Sequence, residues 1–123
     1  FSERPFHAHN RLIASITVDA DDRREVARTI AGKLGMAKGR SALILPSRGI
    51  QEWDTEGEPL YEPEALAAFV DEMRRAIPAG VEFHEIDAHI NSDTFVAKAL
   101  EIFDRWVEEG IVPRGMPAKE VAA

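Results

Sequence analysis

Residues 41–46, SALILP, restrict the possible folds more than any other stretch of the chain. After Ser41 no polar side chain interrupts the run. A strand with one wet face alternates apolar and polar residues; a run without alternation has both faces covered, the usual state of a strand in a parallel sheet. Parallel neighbours cannot be joined by a tight turn and need a crossover, usually a helix. The flanking sequence supplies two. Val26, Ala27, Ile30, Ala31 and Leu34 recur at helical spacing before the run, and Leu66, Phe69, Val70, Met73 and Ile77 do so after it.

Further elements follow the same grammar. RLIASITV (11–18) is rich in β-formers and is predicted to be the first strand. Asp19, Asp21 and Asp22 supply an N-cap and first-turn negative charge for the first helix, and Gly35 ends it. VEFHEID (81–87) alternates as a strand should, with a polar content suited to a sheet edge or a wet end. The last helix is expected from about Ser92 to Glu109, with Phe95, Val96, Ala99, Leu100, Phe103 and Val107 as its buried stripe and Gly110 as its stop. FSERPFHAHN (1–10) shows no period and contains Pro5, so it is expected to be an arm entering the domain. The predicted organisation is therefore an arm over 1–10, an α/β domain over 11–109, and a tail or linker over 110–123. The order β-α-β-α-β-α predicts a three-layer, Rossmann-like domain with a mostly parallel sheet and right-handed crossovers. All strands would then end on one rim, bringing together Asp19, the 47–62 loop and the segment DAHINSD (87–93). In open α/β sheets that rim is where ligands bind.

Composition narrows the function. A chain of 123 residues suits one domain with a real core. A net charge of −7 repels nucleic-acid phosphates, and the basic groups are interleaved with acids, so nucleic-acid binding is not expected. No apolar run reaches the length of a membrane span, and the absence of cysteine suits a cytoplasmic protein. The chain starts at Phe1 without a signal-peptide pattern, as a piece of something longer would.

Chemistry-bearing residues cluster after the second and third strands. Arg48 offers a planar fork of donors for a carboxylate or phosphate, and Gly49 lets the backbone turn and approach a ligand. The alternative is that Arg48 pairs with an acid of its own loop, Asp54 or Glu56. Asp87 and His89 lie two residues apart at a strand end, a spacing that suits an acid/base couple or a pair of ligands. Alternatively, Asp87 accepts from loop backbone and His89 is a satisfied rim residue. Asn91 or Ser92 caps the last helix, and Asp93 sits in its first turn. Trp53 and Tyr61 can close the loop against the domain or stack on a flat ligand. His9 could join the rim if the arm folds back. His7, His9, His84 and His89 show no metal-ligand spacing, so no metal is expected. The phosphate loop GxxxxGK[ST], GxGxxG after the first strand and the GxSxG elbow are all absent.

Taken together, HN at 9–10, AGKLGMAKG at 31–39, ALILPSRGIQEWDTEGEPLYEPEA at 42–65 and IDAHINSDTFV at 86–96 resemble the C-terminal part of one family. It is the family of plant tomato mosaic virus resistance proteins and their bacterial relatives, the Tm-type ATP-binding domain proteins. The resemblance implies two α/β subdomains in a longer chain, of which this is the second. It also implies ATP as the family's cofactor, held in the missing N-terminal subdomain rather than here. Arg48, Gly49, Asp54, Gly57, Asp87, His89 and Asn91 occupy the family's motif positions.

Three functions are consistent with these residues. The first is a non-catalytic binding subdomain, with Arg48, Gly49, Asp54, Gly57 and Asn91 forming a site for a small anionic ligand. It would also contact the N-terminal subdomain and a second copy in a homo-oligomer. The second is part of an enzyme active site, with Arg48 as anion binder and Asp87–His89 as acid/base pair. The third is pure oligomerisation through the long loop.

Overall fold

The described residues build seven elements: β1 (Phe6–Ala8), β2 (Ala14–Ile16), α1 (Ala20–Gly35), β3 (Ala42–Pro46), α2 (Pro63–Ala76), β4 (Glu82–Ile86) and α3 (Asp93–Glu108). They come from a computed structural model that describes residues 3–115. Residues 1–2 of the predicted arm and 116–123 of the predicted tail lie outside the described residues.

The first half corrects the expected order. The arm contributes a strand: β1 pairs antiparallel with β2, Phe6 opposite Ile16 and Ala8 opposite Ala14. The cause is local. The Asn10 side chain accepts the N–H groups of Leu12 and Ile13 at 2.8 and 3.0 Å, and the Ile13 carbonyl accepts from His9 and Asn10. This side-chain turn folds the arm back. The predicted first strand therefore joins a hairpin of its own. The fold is mixed α/β, and among the described residues it has two small two-stranded sheets, the parallel one formed by β3 and β4. Their register runs from Ala42 opposite Glu82 to Pro46 opposite Ile86.

The helices form where their periodicity predicts. Asp19 caps α1 by accepting the Asp22 N–H at 3.0 Å, and Pro63 opens α2, where its missing N–H costs nothing. The core contains Ala27 and Ala31 of α1, Leu45 of β3, and Leu66, Phe69, Val70 and Met73 of α2, with Leu43 and Phe83 packed against it. Leu43 and Leu45 thus face α1 and α2. Ala42 and Ile44, on the alternate face, line a groove with Ala99, Ile102, Phe103 and Trp106 of α3.

The predicted buried stripe of α3 also needs correction. Ile102 is the one residue of α3 that is buried, while Val96, Leu100 and Phe103 are about half exposed. Their apolar face is wider than the two-stranded sheet beneath it. No helix among the described residues is long and apolar enough to cross a membrane.

Candidate functional site

Beyond the ends of β3 and β4 the two backbones stay zipped together. Ser47 N–H donates to the Ile86 carbonyl, Arg48 N–H to Ala88, and Ile90 N–H to Gly49, all at 3.0–3.1 Å. This extension brings Arg48, Gly49, Asp87 and His89 to one rim at the C-terminal ends of parallel strands.

The pairings on that rim differ from those the sequence suggested. Arg48 reaches Asp87 with two nitrogens, Nε and Nη2, rather than an acid of its own loop. The Arg48 guanidinium holds the Asp87 carboxyl below its ordinary range, and Asp87 in turn raises Arg48. Both side chains are well exposed. Asp87 is thus engaged by Arg48 and not by His89. The His89 ring turns to the loop: Nε2 lies 2.9 Å from the Gln51 carbonyl, and Nδ1 accepts the Asn91 N–H at 3.1 Å. A backbone N–H can only donate and a carbonyl only accept, so the proton sits on Nε2. The tautomer is set by backbone, not by a carboxylate.

Gly49 is buried, with φ of 144°, and its position is closely surrounded. A Cβ there would lie 2.4 Å from both the Asp54 carbonyl oxygen and His89 Cδ2. Asn91 donates its side-chain amide to Glu52, a second stitch between the 86–93 segment and the loop. Gly57, with φ of 90°, sits in a turn closed by Glu58 N–H to the Thr55 carbonyl, in open space.

Asp54 has a different place. It is fully buried and paired with Arg23 of α1, Nη1 to Oδ2 at 2.8 Å. Arg23 also donates from Nε to the Val18 carbonyl. The pair lies at a second, largely apolar cavity of about 360 Å³ between the hairpin, α1 and α2. Arg23 was missed in the sequence, although the signal was there: Arg23, Ala27 and Ala31 recur every four residues on the buried face of α1. The loop closes on itself with Leu60 as a buried anchor, its N–H on the Trp53 carbonyl. Trp53 packs against the folded-back arm, 4.8 Å from the His7 ring and 5.3 Å from the His9 ring.

Arg48 lines a crevice of about 300 Å³ with Ser47, Thr55, Tyr61, Leu66, Val70 and Arg74, at the start of α2. Arg74 is paired with Glu85 and Asp71. One cationic edge, the Nη1 side of Arg48, has no protein partner among the described residues. A triphosphate does not fit here, because both arginines are already matched by acids and Glu56 and Asp71 line the same walls. Among the described residues no three His, Asp or Glu side chains converge on a metal-sized site.

The profile of the Uncharacterised protein family (UPF0261) C-terminal domain matches residues 1–107. A UPF0261 protein of Brucella melitensis is 60% identical over 115 residues, which cover 94% of this chain and 28% of that protein. A UPF0261 protein of Clostridium tetani is 27% identical over 106 residues, 85% of this chain and 26% of the relative. The ToMV resistance protein Tm-1(GCR237) of Solanum lycopersicum is 25% identical over 105 residues, 84% of this chain and 14% of the relative. The chain therefore spans little more than a quarter of the length of its bacterial relatives.

Proposed function

Because the chain belongs to the UPF0261 family, as a C-terminal domain of it, we propose that it is a non-catalytic, Rossmann-like subdomain of a longer protein. It binds a small anionic ligand at the Arg48 crevice and supplies contacts to the rest of the assembly. The observation that carries this reading is the arginine fork at the ends of two parallel strands. Asp87 holds two of its nitrogens, and Arg48 lines the crevice. An exposed ion pair contributes little to stability, so its value lies in orientation. Tyr61, Leu66 and Val70 offer an apolar wall for the body of such a ligand.

The acid/base alternative has less support. His89 has both ring nitrogens engaged by backbone, and Asp87 faces Arg48. Pure oligomerisation through the loop also has less, because Asp54 and Leu60 turn the loop inward. A homo-oligomer contact is better placed at the hairpin, where Leu12 is 94% exposed beside the exposed Ile13. Leu12→Glu would dissociate such an oligomer in sedimentation experiments.

The full-length protein should be screened by thermal shift and calorimetry against inorganic phosphate, small carboxylates and nucleoside monophosphates. A ligand of this crevice loses at least about tenfold in affinity with Arg48→Ala, the cost of one charge-assisted contact. Unchanged affinity in that variant would remove the reading. Turnover that His89→Ala abolishes, in a protein that stays folded, would restore the enzyme alternative.

A further inference from the structure

β3 has the sequence of an interior strand and stands at an edge. Among the described residues its one strand neighbour is β4. The Ser41 carbonyl accepts from Glu82 N–H and the Ser47 N–H donates to Ile86, so odd-numbered positions face β4. By the two-residue repeat, the backbone groups of Ala42 and Ile44 and the Pro46 carbonyl point the other way. Native edge strands are blunted by charge. β4 is: Glu82 is held by Arg105, and Glu85 by Arg74. β3 carries no charge from Ala42 to Pro46, and Pro46 withholds a donor at the last rung alone.

A second observation concerns what lies above that edge. Arg105 ties one flank of α3 to Glu82 of β4. On the opposite flank Phe103 lines the groove with Ala42 and Ile44 of β3. Val96, Leu100 and Phe103, spaced four and three residues apart on one face of α3, are 51%, 56% and 51% exposed. Such a stripe normally covers a strand. The third observation is length. The family match is to a C-terminal domain, and this chain spans 28% of the Brucella relative, so most of such a protein lies outside these residues.

We infer that the longer protein contributes a further strand, from the region preceding this chain. It lies parallel to β3, bonded to Ala42, Ile44 and the Pro46 carbonyl and roofed by Val96, Leu100 and Phe103. A parallel neighbour is favoured because parallel pairs belong to larger sheets with helices on both faces. A second copy related by a two-fold axis would instead set β3 antiparallel to itself. This inference deepens the assembly half of the proposed function and is independent of any ligand at Arg48. A crevice that binds nothing leaves it standing, and its own failure leaves the crevice reading intact.

The test is residue-resolved hydrogen exchange on the full-length protein, with Leu43 and Leu45 as internal references because their N–H groups face β4. The Ala42 and Ile44 amides should exchange within about tenfold of those references, as paired amides do. Fast exchange at Ala42 and Ile44 beside slow exchange at Leu43 and Leu45 would overturn the added strand. Protection that disappears when the protein is diluted to a monomer would also overturn it, since the occupant would then be a second copy. The double variant Leu100→Asp, Phe103→Asp should release Ala42 and Ile44 while leaving the references slow. Protection that survives in that variant would contradict the roof.

Discussion

Gly49 concentrates the constraints of the rim in one residue. Its φ of 144° is open to glycine and strained for other residues, and an added methyl would strike a carbonyl oxygen and an imidazole carbon at 2.4 Å. The imidazole cannot retreat without giving up the Gln51 carbonyl or the Asn91 N–H. Gly49→Ala should therefore cost about 2–3 kcal/mol. Gly57→Ala, at φ of 90° but in open space, should cost about 1 kcal/mol from backbone strain alone. Urea unfolding of both variants separates the two causes; equal losses would mean that the close approach of His89 contributes nothing. The glycine pair also shows what a sequence can reveal. A glycine after a strand predicts a turn, but which glycine is crowded depends on a ring arriving from forty residues further along the chain.

At the scale of elements, the long loop is held by charge as well as by apolar burial. Asp54 and Arg23 are both nearly sealed from water, and each is the other's counter-ion. Removing one partner of a buried pair leaves an uncompensated charge, so Asp54→Ala should cost about 3–5 kcal/mol. Asp54→Asn, which keeps an acceptor for Arg23, should cost less. Thermal unfolding checks the order, and equal losses would show that packing rather than charge anchors the loop. The helices were legible because their signals are local: Asp19 caps α1, Ser92 caps α3, and the α2 stripe of Leu66, Phe69, Val70 and Met73 is buried as its spacing predicts. The parallel pairing of β3 and β4 was legible from the helix between them. The hairpin was not, because three-residue strands are too short to show alternation and the Asn10 turn that joins them is a side-chain effect. The Asp87–Arg48 partnership was not legible either. Sequence adjacency favoured His89, whereas the parallel ladder carries Arg48 to Asp87 across the sheet.

For the whole molecule, the surface ion pairs combine into one acid-side dependence whose sign can be worked out. Hydrogen bonding lowers Glu82 through His84, with help from Arg105 and Trp106, lowers Glu85 through Arg74, and lowers Asp87 through Arg48. A carboxyl with a depressed folded-state value binds its proton more readily when unfolded. Its contribution is complete above the ordinary values of 4.5 for Glu and 3.8 for Asp, and is lost as pH falls through the lower folded values. An opposing effect is present, because the chain carries a net charge of −7 and protonating carboxylates first relieves that repulsion. The urea midpoint should therefore change little between about pH 7 and pH 5 and fall below about pH 4, where the pairs are neutralised. Raising the salt to about 0.5 M should flatten the fall, because these pairs sit near solvent and are screened. Glu82→Gln should remove part of the slope without moving the onset, since Glu85 and Asp87 keep their arginines. A midpoint that rises steadily from about pH 6 to pH 3 would mean that charge relief dominates. The arginine pairs of β4 and the rim would then orient side chains without holding the fold together.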